Sequence, residues 1–145
     1  MSAVNQDQAP LNSVPTGFEV PRQVRIIPDG PAQPMLPIVE KHGSARALVW
    51  PGSGAHMRSM HRISLSRGGV TASLQHPMEA VYYVISGGVD VEDLVANTRQ
   101  PVGPGGMFLI DPGTSYRISA GSDGSELVGG ACPADPTLYD GLWSA

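Results

Sequence analysis

Glycine and proline interrupt this chain so often that long helices do not fit between them. The 145-residue sequence contains 18 glycines and 14 prolines, and only 15% of its residues are charged. Proline removes a backbone donor and fixes φ, while glycine destabilises helix interiors. A helical bundle is therefore disfavoured, and short strands joined by tight turns are favoured.

The segments between these breakers are rich in β-prone residues from about residue 44 onward. About eight strands are predicted, with no helical periodicity outside the last few residues: 46–50, 57–66, 70–75, 80–86, 89–94, 107–110, 116–120 and 127–131. A hairpin loop is predicted around Asn97, and turns at Gly68-Gly69 and Gly87-Gly88. Strands at this spacing predict an all-β fold, either an antiparallel sandwich or a barrel.

The first third of the chain has a different texture. Seven of the prolines lie in the first 37 residues, so this stretch is predicted to be neither helix nor central strand. We predict an extended Pro-rich arm over residues 1–43 and a barrel over residues 44–145. Val20, Val24 and Ile26 are too apolar for a solvated tail, so the arm is predicted to lie across the barrel or a neighbouring subunit, with the first ten or so residues loose. A symmetric homodimer with the arm at or near its interface is expected.

Composition and charge limit which partners and which cellular location are expected. The net charge is −4, and the nine basic residues are scattered singly, which argues against a nucleic-acid partner. No apolar run approaches the ~18 residues of a membrane span. The N-terminus lacks a signal-peptide core, and Cys132 is the single cysteine, which fits a reducing compartment. A cytoplasmic protein with a small-molecule partner and no membrane contact is predicted.

Two segments resemble a known family. The first runs from Gly68 to Gly88 and contains His76-Pro77-Met78-Glu79 between two strands. The second is Pro-Gly-Gly-Met-Phe-Leu-Ile-Asp-Pro-Gly-Thr-Ser-Tyr at 104–116. They resemble the two motifs of the cupin superfamily, which implies a double-stranded β-helix, or jelly-roll barrel, with a site inside it.

A closer resemblance exists within the cupins. The stretch Glu-Ala-Val-Tyr-Tyr-Val-Ile-Ser-Gly at 79–87, Val-Glu-Asp-Leu at 91–94 and Pro-Gly-Gly-Met-Phe-Leu at 104–109 are similar to segments of ectoine synthase. That family closes a ring by cyclodehydration with a barrel-bound iron. The resemblance implies a small-molecule enzyme, but function belongs to the site rather than to the scaffold.

The ligand positions that the resemblance implies are largely replaced. The four usual cupin metal positions correspond to Leu74, His76, Ala80 and Tyr116. The ectoine synthase ligands correspond to Glu79, Phe108 and Tyr116, so one carboxylate is kept while a phenol and an imidazole are replaced. The family's substrate-side cysteine falls near Gly129, so Cys132 is not its counterpart. No ectoine formation is therefore expected, with or without added Fe(II), whereas Glu79→Ala is expected to damage the true activity.

A different metal set remains open. Two imidazoles and one carboxylate, from His61, His76 and Glu79, suffice in principle for one divalent Fe, Zn or Mn ion. Their spacing alone does not show that they converge. A site without any metal is the alternative.

Residue roles follow from the same positions. Glu79 or His76 is predicted as the general base and Tyr116 as the acid. The predicted substrate-binding residues are Arg46, which would hold a carboxylate, together with His61, Phe108 and Tyr82. His61 shares an apolar face with Ile63 and Leu65, so it either lines a cavity or is buried and hydrogen-bonded. Tyr82 and Tyr83 must face opposite sides of one strand. We predict that Glu79, His76, Tyr116 and His61 line one cavity.

Three functions remain in competition. The leading prediction is an ectoine synthase-like cupin enzyme that catalyses a lyase, cyclisation or isomerisation step by acid–base chemistry on a polar, carboxylate-bearing, amino-acid-derived substrate. The first alternative is a metal-free cupin epimerase or isomerase in which a histidine and a tyrosine exchange protons. The second is a non-catalytic cupin that binds a small ligand.

Overall fold

A computed structural model describes residues 22–142 of the chain. Six strands make up most of these residues: β1 (Val39–Val49), β2 (Met60–Thr71), β3 (Glu79–Asp93), β4 (Thr98–Val102), β5 (Met107–Ile110) and β6 (Tyr116–Cys132). Two short 3-10 helices, Pro51–Ser53 and Pro136–Leu142, follow β1 and β6. The all-β prediction is confirmed. Within the described residues, no helix is long and apolar enough to cross a membrane.

All strand pairs are antiparallel, and the pairing order is β1-β2-β6-β3-β4. The first part of β3 pairs with β5 on its other side, through residues 80–83. The last part of β3 pairs instead with β4, through residues 89–93. Strand β3 therefore contributes to two successive parts of the sheet.

The sheet folds back on itself to enclose an interior. Tyr82 pairs near one end of β3, whereas Tyr116 of β6 pairs with Asp93 at the other end. At about 3.3 Å per residue, a straight strand would hold positions 82 and 93 roughly 35 Å apart. The hydroxyls of Tyr82 and Tyr116 are nevertheless 2.7 Å apart, so the two parts of the sheet face each other.

Glycine bulges make the bends. Gly87 in β3 has φ +68° and Gly124 in β6 has φ +80°, a backbone region that favours glycine. A side chain on Gly87 would collide with the carbonyl oxygen of Gly124. The β3–β6 register shifts at this point, as expected for bulges. The predicted turns at Gly68-Gly69 and Gly87-Gly88 are therefore wrong: the strands continue through them, and eight predicted segments become fewer, longer strands. The hairpin at Asn97, φ +59°, is confirmed.

Alternation along the strands places polar side chains in an otherwise apolar core. His61 is buried beside Ile63 and Leu65, as the alternation predicted. Tyr82 is buried between Ala80 and Val84, while Tyr83 faces outward. Tyrosine and histidine in such an interior need hydrogen-bond partners.

The described part of the arm lies along β1. Leu36 N donates to Ala45 O at 2.8 Å, and Ala47 N donates to Pro34 O at 3.0 Å. Strand β1 begins at Val39, so the predicted boundary at residue 43 falls inside a strand. Residues 1–21, which include Val20, lie outside the described residues.

The homodimer stays a prediction, and the arm supplies its test. Val24 and Ile26 are 88% and 83% exposed, so they do not pack against their own barrel. Burial of one such side chain contributes about 1.5 kcal/mol or more, so Ile26→Asp is expected to raise the dimer dissociation constant about tenfold or more. Light scattering across a dilution series measures this. Val95→Asp, in the exposed β3–β4 loop, is the control, and a wild-type monomer at high micromolar concentration would contradict the prediction.

Candidate active site

A chain of four buried polar side chains crosses the interior. Asp135 Oδ2 lies 2.8 Å from His76 Nδ1, and His76 Nε2 lies 2.7 Å from the Tyr116 hydroxyl. The Tyr116 hydroxyl lies 2.7 Å from that of Tyr82. Each of these residues is at most 3% exposed. We name them the Asp–His–Tyr–Tyr chain.

Backbone contacts bring His76 and Tyr116 together. Leu74 and Tyr116 exchange two backbone hydrogen bonds of 2.8 Å, and Gly113 N donates to His76 O at 2.7 Å. These bonds fix the segment before β3 against the start of β6. They explain why a histidine and a tyrosine 40 positions apart form a short contact.

Separate contacts fix Tyr82 and Asp135. Gly129 pairs with Tyr82, and a Cβ at Gly129 would lie 2.6 Å from Tyr82 Cδ2, so glycine leaves room for the ring. Asp135 precedes the 3-10 helix Pro136–Leu142, where its Oδ1 accepts from Thr137 N at 3.1 Å and from Thr137 Oγ1 at 2.8 Å. One carboxylate oxygen therefore fixes the helix start while the other meets His76.

Only one arrangement of the hydrogens in the Asp–His–Tyr–Tyr chain gives every hydrogen an acceptor. A carboxylate only accepts, so His76 Nδ1 donates to Asp135. Tyr116 then donates to His76 Nε2, and the Tyr116 oxygen accepts from Tyr82. The tautomer is assigned by this donor count. The basic nitrogen of His76, Nε2, therefore faces the Tyr116 hydroxyl.

Burial controls the proton affinities. Burial first, and then the neighbouring Tyr82 hydroxyl, raise the pKa of Tyr116 far above its usual value. Burial also raises the pKa of Tyr82 to about 12, although its hydrogen bond with Tyr116 opposes this. Burial alone would raise the pKa of Asp135, but hydrogen bonds from His76 and Thr137 hold it below its usual value. Near neutral pH the two phenols are thus protonated and the carboxyl is ionised.

His61 belongs to a neighbouring cluster. Its Nε2 lies 2.7 Å from the Tyr139 hydroxyl, and its Nδ1 is buried without a hydrogen-bond partner among the described residues. Burial, and then the nearby His76, lower the pKa of His61 to about 4. Of the two predicted environments for His61, the structure shows the buried, hydrogen-bonded one.

A pocket of about 210 Å³ adjoins the Asp–His–Tyr–Tyr chain at Tyr116. It lies between the β3–β4 hairpin, β5 and the start of β6, and the described residues that line it are Val91, Glu92, Asp93, Thr98, Gln100, Val102, Phe108, Leu109, Ile110, Asp111, Thr114 and Tyr116. Phe108 stacks on Tyr82 with ring centroids 5.1 Å apart. Tyr116 therefore connects the pocket to His76.

Two predicted site residues face away from the interior and require correction. Glu79 is exposed, because the alternation that turns Ala80 and Tyr82 inward turns Glu79 outward. Arg46 lies between the buried Ala45 and Ala47 and so faces the outside, where it donates to Gln33 O at 2.8 Å. Glu79 therefore does not line a cavity with His76, and Arg46 is not placed to hold a substrate in the pocket.

The described residues do not fit a bound metal ion. Residues 22–142 contain no group of three His, Cys, Asp or Glu side chains that could hold one. The predicted set fails because Glu79 faces outward and because both ring nitrogens of His76 already have partners.

Two important residues were absent from the sequence predictions. Asp135 and Tyr139 contact His76 and His61 from the C-terminal segment. The pair Asp135-Pro136 is typical of a helix start. It predicts that Asp135 caps the helix by accepting from Thr137, but it does not predict that Asp135 contacts His76.

Comparisons with known proteins identify the fold. No family model matches the sequence, and no curated protein matches it. The polyketide cyclase RemF from Streptomyces resistomycificus matches with TM-score 0.64 and 20% identity, over 79% of this chain and 82% of that one.

Two further solved structures agree. An RmlC-like cupin from Shewanella frigidimarina matches with TM-score 0.60 and 18% identity, over 77% of this chain and 94% of that one. KdgF from Halomonas sp. matches with TM-score 0.55 and 18% identity, over 68% and 87%. The chain therefore has the all-β cupin fold, as its two motifs predicted.

Proposed function

We propose that this protein is a small-molecule enzyme that moves a proton on a substrate held in the pocket beside Tyr116. Isomerisation, cyclisation and elimination all contain such a step. The observation that carries the proposal is the buried Asp–His–Tyr–Tyr chain, which adjoins a pocket at Tyr116. Of the predicted functions, this is nearest to the metal-free enzyme in which a histidine and a tyrosine exchange protons.

Tyr116 is the catalytic residue in this proposal, and His76 accepts the proton that Tyr116 releases. A buried phenolate is costly, so Tyr116 does not wait in the charged form. As the substrate's proton moves to the Tyr116 oxygen, the phenolic proton moves to His76 Nε2. The reverse transfer delivers a proton to the product. Tyr116 remains a neutral phenol before and after each transfer.

Asp135 is a positioning residue. Its carboxylate accepts from His76 Nδ1 at 2.8 Å, which keeps Nε2 aimed at Tyr116. When His76 takes the proton, the same carboxylate stabilises the imidazolium, as in other Asp–His pairs. Loss of the carboxylate should thus affect proton transfer more than ligand binding.

The comparisons support only part of this proposal. One of the similar structures is a polyketide cyclase, which supports keeping cyclisation among the candidate reactions. The ectoine synthase-like type rests on the sequence resemblance alone, and the altered ligand positions argue against ectoine formation.

Ligand binding without catalysis is the second candidate. It is favoured by the full burial of Tyr116 and by Phe108, which lies over Tyr82 and lines the pocket. A binder would hold a ligand against these rings without any proton leaving it.

Tyr116→Phe is expected to reduce proton transfer about a hundredfold, because general acid–base catalysis typically contributes 10²–10⁴-fold. The probes are the single-ring ketones cyclohexanone, 2-methylcyclohexanone and phenylacetone in D₂O. Proton NMR measures deuterium uptake at the carbons next to the carbonyl. The wild-type protein is expected to accelerate exchange of at least one probe.

Tyr83→Phe is the matched control, since it also removes a phenolic hydroxyl, but from the outer face of β3. It should exchange at the wild-type rate. If Tyr116→Phe also exchanges at that rate, Tyr116 is not catalytic. If probes bind but none exchanges faster than in buffer, the binding function replaces the enzyme.

A further inference from the structure

The pocket beside Tyr116 has an unusual charge balance. No Lys, Arg or His appears among the described residues that line it. Asp93 and Asp111 contribute carboxylates, and Asp111 is exposed at the turn after β5. Glu92 also borders the pocket, but Arg99 lies 3.6 Å from it. An anion entering here would meet carboxylates and no cation.

The rest of the pocket is apolar or uncharged. Five apolar side chains line it: Val91, Val102, Phe108, Leu109 and Ile110. Three uncharged polar side chains join them: Thr98, Gln100 and Thr114. An ion buried against such a wall loses hydration without a buried partner, so for a cation the attraction of the carboxylates is offset by this loss.

Asp93 already has a structural task. Its Oδ1 accepts from Val95 N and from Ala96 N, both at 2.9 Å, which fixes the β3–β4 turn. Asp93 pairs with Thr98 across the hairpin, and Val91 pairs with Gln100. These pairs place the exposed side chains of Thr98 and Gln100 along one side of the pocket, where their hydroxyl and amide groups can bind carbonyl or hydroxyl oxygens.

The size limits the ligand further. A dry apolar cavity of about 150 Å³ holds benzene, and this pocket has about 210 Å³. It accommodates a single ring with small substituents.

We propose that the substrate is an uncharged, ring-sized organic molecule with carbonyl or hydroxyl oxygens, and that the pocket rejects carboxylates. This inference rests on the proposed function, since it concerns the pocket beside Tyr116. It replaces the carboxylate-bearing substrate expected from sequence, whose partner Arg46 faces outward. Thr98 and Gln100 are the residues that determine specificity.

Benzamide, benzoate and benzamidinium provide a test, because they share one shape and differ in charge. NMR titration at pH 7 and low salt follows the resonances of Thr98 and Gln100. Benzamide is expected to bind, and benzoate to bind at least tenfold more weakly. In the double variant Asp93→Asn, Asp111→Asn this difference should fall below threefold, since asparagine keeps the acceptor for Val95 and Ala96. Asp123→Asn, at an exposed position of β6 outside the pocket, should preserve this difference.

Three results would overturn the inference. They are benzoate binding as tightly as benzamide, benzamidinium binding tenfold more tightly than benzamide, and no saturable change at Thr98 or Gln100. Binding is measured here without turnover. Absence of deuterium exchange together with the expected binding order would therefore refute the proposed function and leave the class of ligand standing.

Discussion

His76→Leu is expected to lower the free energy of unfolding by about 3–5 kcal/mol, the usual cost of leaving a buried charge without its partner. The substitution preserves the side-chain volume approximately, but it leaves the Asp135 carboxylate, which is 2% exposed, without its His76 partner. It also removes the acceptor of the Tyr116 hydroxyl. Urea denaturation followed by tryptophan fluorescence measures the loss.

A double-mutant cycle separates the lost pair from the lost packing. Asp135→Ser removes the charge and keeps an oxygen for Thr137, so the variant His76→Leu, Asp135→Ser should lose at least about 1 kcal/mol less than the sum of the single losses. His42→Asn, at an exposed position with φ +52°, is the control and should stay within about 0.5 kcal/mol of wild type. Additive losses would mean that the two side chains do not form a coupled pair.

Local patterns were sufficient to predict one end of the candidate site. His76 and Tyr116 lie in the two motifs that resemble cupins, and the structure places them in contact. Alternation in β3 predicted that only one of Tyr82 and Tyr83 faces inward. The same alternation also predicts that Glu79 faces outward, one position before Ala80. Following the family position of Glu79 instead of the alternation produced the error.

The other end of the site depends on contacts that no local pattern carries. Asp135 reaches His76 across 59 positions, and Tyr139 reaches His61 across 78. Both contacts exist because the C-terminal segment packs against the interior. The glycine bulges are a similar case, since a glycine pair in sequence is typical of both a turn and a bulge. Whether Gly87 ends a strand or bends it is decided by its contact with Gly124 in another strand.

The proton affinity of His61 makes stability depend on pH. The pKa of His61 is about 4 in the folded protein, against 6.5 for an ordinary histidine. As pH falls below 6.5, the unfolded chain takes up a proton that the folded protein refuses until about pH 4. Stability is thus full at pH 7 and is lost as pH falls through this window. The complete loss amounts to about 3 kcal/mol.

His61→Gln is expected to flatten this dependence. Between pH 7 and pH 4.5, we expect the wild-type free energy of unfolding to fall by about 2–3 kcal/mol more than that of His61→Gln. The comparison stops at pH 4.5 because the depressed pKa of Asp135 adds its own loss only in stronger acid. His42→Asn should retain the wild-type slope, since His42 is exposed. Urea titrations at four pH values suffice for the measurement. Equal slopes for wild type and His61→Gln would show that His61 is protonated as readily in the folded barrel as in the unfolded chain, and its burial beside Tyr139 would then carry no penalty for the charged form.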